Sequence, residues 1–472
     1  MWAWAFVPGM SQPDTPFQVL GVDLSPQAIL PWVPLIFSVE PYLIGAAYLV
    51  PTDTLLSYIV FMLIIWFILP PIFTAAGIWD PYAGGHDAYW IFRTLNRSNT
   101  GPIGLANWAE FFRATWVYFG IGAMLGLIVW PMIVHRGEVV HYIKSIFKAA
   151  PEDFEEREPM RVRNTVLLLI LTSLVWGVCI IIGSGFVAAK YFYMVIIINF
   201  FGILWMGVCT ARVTAEFGQP QAAWSCHVKS HNLYQPFGMW FYHSPDSPWY
   251  IPSDRMHERI MLNLTTFSGG IYGGGYSGLT PSLTTPWILE AYKIGDLTGT
   301  RAKDQFKGVL IAIPIAVVLT LVTFLYMIHS FGAAETLKYG MLGWPTNIAT
   351  RYNFYTEAYD GRWFIILEPK PTMYVGMIIG ALITITLFIL RARFPGFPLA
   401  PTGVPLAFSW MSIGMFFPCI IAYVAKYLTV RVGGIEAYNE KGVPFAVGLI
   451  AALNIMSVVL SLRNAYVAFT FG

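Results

Sequence analysis

The chain has 472 residues, of which 56% are hydrophobic and only 11% charged, and its net charge is +2 at pH 7. A soluble domain carries about a quarter of its residues charged, so the composition excludes a water-soluble globular protein and places the chain in a membrane. The near-neutral balance excludes nucleic acid as a partner.

The opening "MWAWAFVPGMSQPDTP" has no basic n-region, and its short apolar part is broken by Pro8, so no cleavable signal peptide is expected. Apolar runs then recur along the chain. A span needs about 20 apolar residues, and clear candidates lie near 55–77, 112–134, 164–187, 190–210, 308–330, 371–390, 404–425 and 443–468. A less regular run covers 29–50, and a glycine-dense one covers 258–280. The sequence thus predicts an all-α, polytopic membrane protein with about nine or ten transmembrane or re-entrant segments in one integral domain over 1–472. No alternating strands suggest a barrel.

Lys and Arg concentrate in 135–163, in 291–307 and at Arg391 and Arg393. The positive-inside rule puts all three on the cytoplasmic side, and the loop 331–370 outside. Within 135–163, Val140, Ile143, Ile146 and Phe147 recur at helical intervals, which predicts an amphipathic helix on the membrane surface. The acidic run Glu152–Glu158 behind it reads as solvated. The stretch "SGGIYGGGYSG" within 258–280 reads as a re-entrant dip or as tight helix packing.

Candidate functional residues begin with Glu40 in "FSVEPYLIGAAYLVPTD". A carboxylate within an apolar segment is costly and marks a pathway or relay by default. Pro41 follows it and disfavours continuous helix, so a broken segment with Glu40 facing a cavity is expected. The plainer alternative is an interfacial or structurally paired Glu40. Asp53, after Pro51 and Thr52, reads as a helix cap or as part of the same site. In "ARVTAEFGQP", Arg212 and Glu216 are four apart and form an ion pair if helical, as a surface anchor, as a gate or as a carboxylate receptor at a cavity mouth. In "LEAYKIGDLTGTRAKDQFKG", Glu290, Lys293 and Asp296 fall on one helical face, as an amphipathic cytoplasmic helix or a gate.

Cys226, His227, His231 and His243 lie close together, and "CHVKSH" sets His227 and His231 at i and i+4. That spacing fits a metal site on a helix, but no CxxC, HExxH or second paired motif accompanies it. The four cysteines, Cys179, Cys209, Cys226 and Cys419, form no CxxC pair and imply structural thiols. No P-loop, GxSxG or CxxCH is present, so neither nucleotide-driven transport nor an enzyme is expected, and no cofactor is assigned.

Together, "FSVEPYLIGAAYLVPTDTLLS", "ARVTAEFGQP", "LEAYKIGDLTGTRAKDQFKG" and "AYVAKYLTVRVGGIEAY" resemble a family of uncharacterised prokaryotic membrane proteins that is itself similar to the oligopeptide transporter (OPT) superfamily. The resemblance spans roughly 37–440. It implies a proton-coupled secondary transporter of small peptides or metal chelates in the plasma membrane. The residues carried over are Glu40, Tyr42, Arg212, Glu216, Glu290, Lys293 and Asp296. Such transporters are usually longer, with helices ahead of the part seen here. The expected partners are therefore the bilayer, a small-molecule or peptide substrate, and a second copy or another chain supplying those helices. Two rival classes remain: an accessory or scaffold subunit of a larger membrane complex, and a membrane metal-binding protein.

Overall fold

A short antiparallel hairpin opens the described part of the chain, with β1 (Gly21–Asp23) paired to β2 (Ile36–Ser38) so that Val22 faces Phe37. Among the described residues, every element after it is a helix. The computed structural model describes residues 21–24, 30, 33, 35–76, 107–147, 158–183, 186, 189, 207–218, 255, 281–331, 371–408 and 412–471.

The expected span over 29–50 is not a span. Its helix, α1 (Pro41–Leu49), has only nine residues, or about 13.5 Å of rise against about 30 Å of hydrocarbon. Pro41 does not break this helix; it starts it. At the first helical position the missing N–H is one of the orphan donors anyway, and the fixed φ suits a helix. The break falls instead at Val50–Pro51, where both residues are extended. A residue before proline is pushed to extended backbone, and proline then opens the next helix. That helix, α2 (Thr52–Met62), passes through a π-helical turn (Leu63–Ile68) into α3 (Leu69–Ala75). Pro70 and Pro71 cannot donate to carbonyls one turn back, which explains why the coil widens there. Together Thr52–Ala75 is long and apolar enough to cross a membrane.

Next come α4 (Asn107–Val134) and α5 (Arg136–Phe147), which meet at an 83° bend. On α5, Val140, Ile143 and Phe147 are exposed. α6 (Val162–Gly183) follows, then α7 (Val208–Phe217), α8 (Pro281–Thr298) and α9 (Ala302–Phe331). The membrane window of α9 has none of its residues buried inside the protein, and a helix apolar all round suits lipid. α10 (Pro371–Arg393) leads into an irregular stretch, buried from Ala400 onward, that holds the short α11 (Gly403–Ala407). The span expected over 404–425 is therefore split: α12 (Ser412–Ala437) starts anew after α11, and Gly434 kinks it with φ +72°. A second π turn (Tyr438–Gly442) joins α12 to α13 (Val443–Phe471).

Five helices among the described residues are long and apolar enough to cross a membrane, or six if the bent α4–α5 pair is one span. The described part of the chain is helical, with several long apolar helices that could span a membrane. Residues 190–206, 258–280 and 332–370, where further segments, the glycine-rich dip and the outer loop were expected, lie outside the described residues.

α4 and α10 pack backbone to backbone. A Cβ placed on Gly122 would overlap the Met377 carbonyl, and one on Gly380 would overlap the Phe119 carbonyl. Glycine there lets two backbones touch, the usual way to join helices where lipid removes the hydrophobic drive. The core around them carries Tyr118, Ile121 and Met124 of α4, Leu55, Tyr58 and Met62 of α2, and Trp66 of the first π turn.

Candidate functional site

Several charged and polar side chains gather at the break at Val50–Pro51. α1 lies in the angle between α12 and α13: Phe37, just before it, meets the Phe417 ring edge-on at 5.2 Å, and Gly45 faces Ala446 and Leu449. Its last turn ends on Val50, whose N–H returns to the Ala47 carbonyl at 3.1 Å. Val50 has left the helix with extended backbone, so its carbonyl, one of the orphan acceptors at the helix end, takes a donor from elsewhere. It receives the Lys426 Nζ at 2.7 Å.

Lys426 sits within α12, only 8% exposed. Its ammonium also lies 4.7 Å from the centre of the Tyr438 ring, the first residue of the second π turn. A cation over an aromatic face is attracted by the ring quadrupole, and one at a helix C-terminus by the dipole. Tyr438 stacks on Tyr48 of α1 at 5.5 Å. The Tyr48 hydroxyl is buried against Gly442, with no hydrogen-bond partner among the described residues.

Three residues past Val50, Asp53 does not cap α2: the N-cap is Pro51, and no side-chain cap bond forms. Its carboxylate pairs instead with Arg391 at the end of α10, at 2.5 Å. One turn on, the buried Ser57 hydroxyl donates to the Asp53 carbonyl and accepts the Ala400 N–H. A further contact holds the same stretch, Trp66 Nε1 to the Ala407 carbonyl at 2.7 Å. Irregular backbone at membrane depth survives only when protein partners satisfy it, and α2 supplies those partners.

The Arg212–Glu216 pair forms as spaced, with Nε to Oε1 at 3.3 Å on α7. Arg212 also lies 4.8 Å over the Phe388 ring. The other Glu216 oxygen accepts the Thr402 hydroxyl at 2.6 Å, so Glu216 fastens α7 to the stretch between α10 and α11. Both carboxylate oxygens and the guanidinium are engaged within the protein, which favours a fixed tie over an open receptor. Tyr58 of α2 and Phe217 of α7 close the same junction, with rings 5.6 Å apart.

Glu40 is buried, but it precedes α1 and so stands at the opposite end of α1 from the break. Its carbonyl accepts the Ile44 N–H at 3.0 Å, opening the helix. Tyr42 packs beside it at the edge of the core. Glu40 and Tyr42 therefore flank one end of α1, while Lys426, Asp53 and Arg391 gather at the other.

Glu290, Lys293 and Asp296 lie on α8, exposed. Lys293 holds Asp296 at 2.7 Å and its hydrogen bond lowers that carboxyl below the usual range, while partial burial raises Glu290. Gly299, at φ +72°, then turns the chain into α9, where Asp304 pairs with Arg301 and Lys307. This is a charged helical hairpin at the surface rather than part of the break. His227 and His231 lie outside the described residues, and among the described residues no cluster of three metal-ligating side chains forms.

The sequence reading missed Lys426. Its signal was the one that singled out Glu40, a charge inside an apolar run in "AYVAKYLTV". A family model described as a family of unknown function, DUF6785, matches residues 27–470. No curated protein and no solved structure matches the chain.

Proposed function

We propose that this chain, which belongs to the DUF6785 family, is a secondary transporter of the plasma membrane whose substrate and proton site lies at the broken segment α1–α2. The observation that carries this reading is the half-length helix α1. It ends at Val50–Pro51 inside the protein, with its last carbonyl held by a buried lysine from another span. Secondary transporters build their sites at discontinuous helices, because half-helix ends present dipoles and unpaired backbone groups that a continuous span cannot. Charged groups within a bundle mark such pathways, and here they stand at both ends of α1, Glu40 at one and Lys426 at the other. The resemblance of its motifs to OPT-like proteins suggests the substrate class: small peptides or metal chelates, moved with protons. Glu40 and Tyr42 line one end of the path, and the ties of Arg212, Glu216, Asp53 and Arg391 brace the other.

Proteoliposome uptake under an imposed proton gradient tests this. Labelled di- to tetrapeptides, with and without metal chelates, are offered to the wild type, Glu40→Gln and Lys426→Met. Gradient-driven uptake that both substitutions abolish is the expected result. Uptake by folded wild type that ignores the gradient, or none of any substrate, would sink the reading. In the second case the accessory-subunit alternative gains. The feature that favours it is α9, whose membrane window is unburied along its length and is open to a partner helix as well as to lipid.

A further inference from the structure

At a helix break in a membrane, the C-terminal carbonyls of a half-helix form a site for a cation: sodium or a proton carrier in coupled transporters. In this protein that position is filled from within. The Lys426 Nζ lies 2.7 Å from the Val50 carbonyl and 4.7 Å from the Tyr438 ring centre, and Lys426 is almost fully buried. Those are the ligands a small cation would seek, an oxygen at a helix C-terminus and an aromatic face, with the C-terminal dipole behind them. Val50 to Tyr438 is also the mechanical joint of the region. On one side Val50–Pro51 separates α1 from α2; on the other, Gly434 and the π turn Tyr438–Gly442 separate α12 from α13. Lys426 ties the two joints together.

We propose that the Lys426 ammonium is a tethered cation at this break, so that the proton it carries, rather than a bound metal cation, locks and unlocks α1 against α12. Charged, it holds the Val50 carbonyl and Tyr438. As a neutral amine it keeps neither the charge that the dipole and the ring attract nor the charge-assisted bond to the carbonyl, and α1 is released from α12. The groups that face it are few. From α1 there is Tyr48, stacked on Tyr438, with Glu40 at the far end of the helix; from the π turn there is Tyr438 itself; from α2 there is Asp53, whose charge Arg391 of α10 already meets. The proton is taken from and returned to water, with no other bond made or broken.

The purpose of this switch rests on the transporter reading, but the switch itself can be read without transport. Amide hydrogen exchange of the full chain in nanodiscs, corrected for intrinsic base catalysis, is followed over Ile44–Tyr58 from about pH 7 to about pH 11.5, a range that brackets the ordinary lysine pKa of about 10.4. Protection in the wild type is expected to fall about tenfold, the worth of one hydrogen bond to a charged group. In Lys426→Arg, which stays charged, it should stay flat; in Lys426→Met it should be low throughout. Sodium added to the wild type at high pH should not restore it. A flat wild-type profile, or protection regained with sodium, overturns the inference even if neither variant folds. If the switch is seen but no uptake is found, the transporter reading fails alone; if uptake is found without the switch, this inference fails alone.

Discussion

Gly380→Ala adds one methyl group to the α4–α10 contact, and the structure fixes the sign of its effect. The new Cβ would overlap the Phe119 carbonyl and stand 2.8 Å from the Ala123 nitrogen. Both are backbone atoms of a helix, so no rotamer change can make room and α10 must retreat along its whole length. Overpacking a well-filled contact costs about 1–3 kcal/mol, and a backbone obstacle puts this case at the upper end. Replacing glycine by alanine within a helix returns at most about 1 kcal/mol. The net expectation is a loss of about 2 kcal/mol, and Gly122→Ala, which would meet the Met377 carbonyl, should behave alike. The control is Gly308→Ala on α9, where a Cβ meets nothing within 4 Å and only the propensity gain of up to about 1 kcal/mol remains. Unfolding by SDS in mixed micelles compares the three: the midpoint should fall for Gly380→Ala and Gly122→Ala and hold or rise for Gly308→Ala. If all three move together, or Gly380→Ala is the more stable, the close approach of α4 and α10 is not what the geometry says.

Trp66→Phe keeps the ring but strands the buried Ala407 carbonyl, and should cost about 1–3 kcal/mol by the same SDS titration. Glu216→Ala leaves Arg212 and Thr402 without their carboxylate, so proteolysis should open the chain near α7 and α11, whereas Thr402→Ser, which keeps a hydroxyl, should behave as wild type. Asp53→Asn removes an ion pair about a third exposed on each side and should cost under about 1 kcal/mol; a larger loss would mean that the pair is shielded from water by lipid. On α8 the two carboxyls should respond to acid in opposite senses. Asp296 is lowered by Lys293, so its contribution is present above the ordinary Asp range and is lost as pH falls through its folded pKa. Glu290 is raised by burial, so it favours the folded hairpin at low pH and weakens it as pH rises. Exchange protection of Glu290–Gly299 at neutral pH should therefore rise in Glu290→Gln and fall in Lys293→Gln, with both differences vanishing in acid.

The spans were legible because hydropathy and length are properties of one segment at a time. α4, α6, α9 and α10 lie within a few residues of the apolar runs that announce them. Arg212–Glu216 was legible for the same reason, since a spacing of four needs nothing beyond its own helix. The position of the break was not. Proline starts helices as readily as it ends them, and the run holds two prolines; only the strand before Pro41 and the extended pair at Val50–Pro51 tell which does which. Asp53 had the position of a cap, but an arginine 338 residues away offered a stronger partner. The third member of the Glu216 tie, Thr402, is likewise 186 residues distant and no local pattern points to it. The glycines that seat α4 on α10 are readable only once the two helices are known to be neighbours.

The contacts of Ser57 and Trp66 with the stretch around α11 have a bearing on what can move. Residues 400–408 lack a long helix of their own, yet α2 and its π turn grip them at both ends, at the Ala400 N–H and the Ala407 carbonyl. They therefore ride with α2 as cargo on a rail, and Glu216 and Arg391 couple α7 and α10 to the same carriage. Rocking of the protein, if it serves passage of a substrate, has no play left within that group. It must be taken up where the backbone already leaves the helix, at Val50–Pro51 and at Gly434 with the turn behind it.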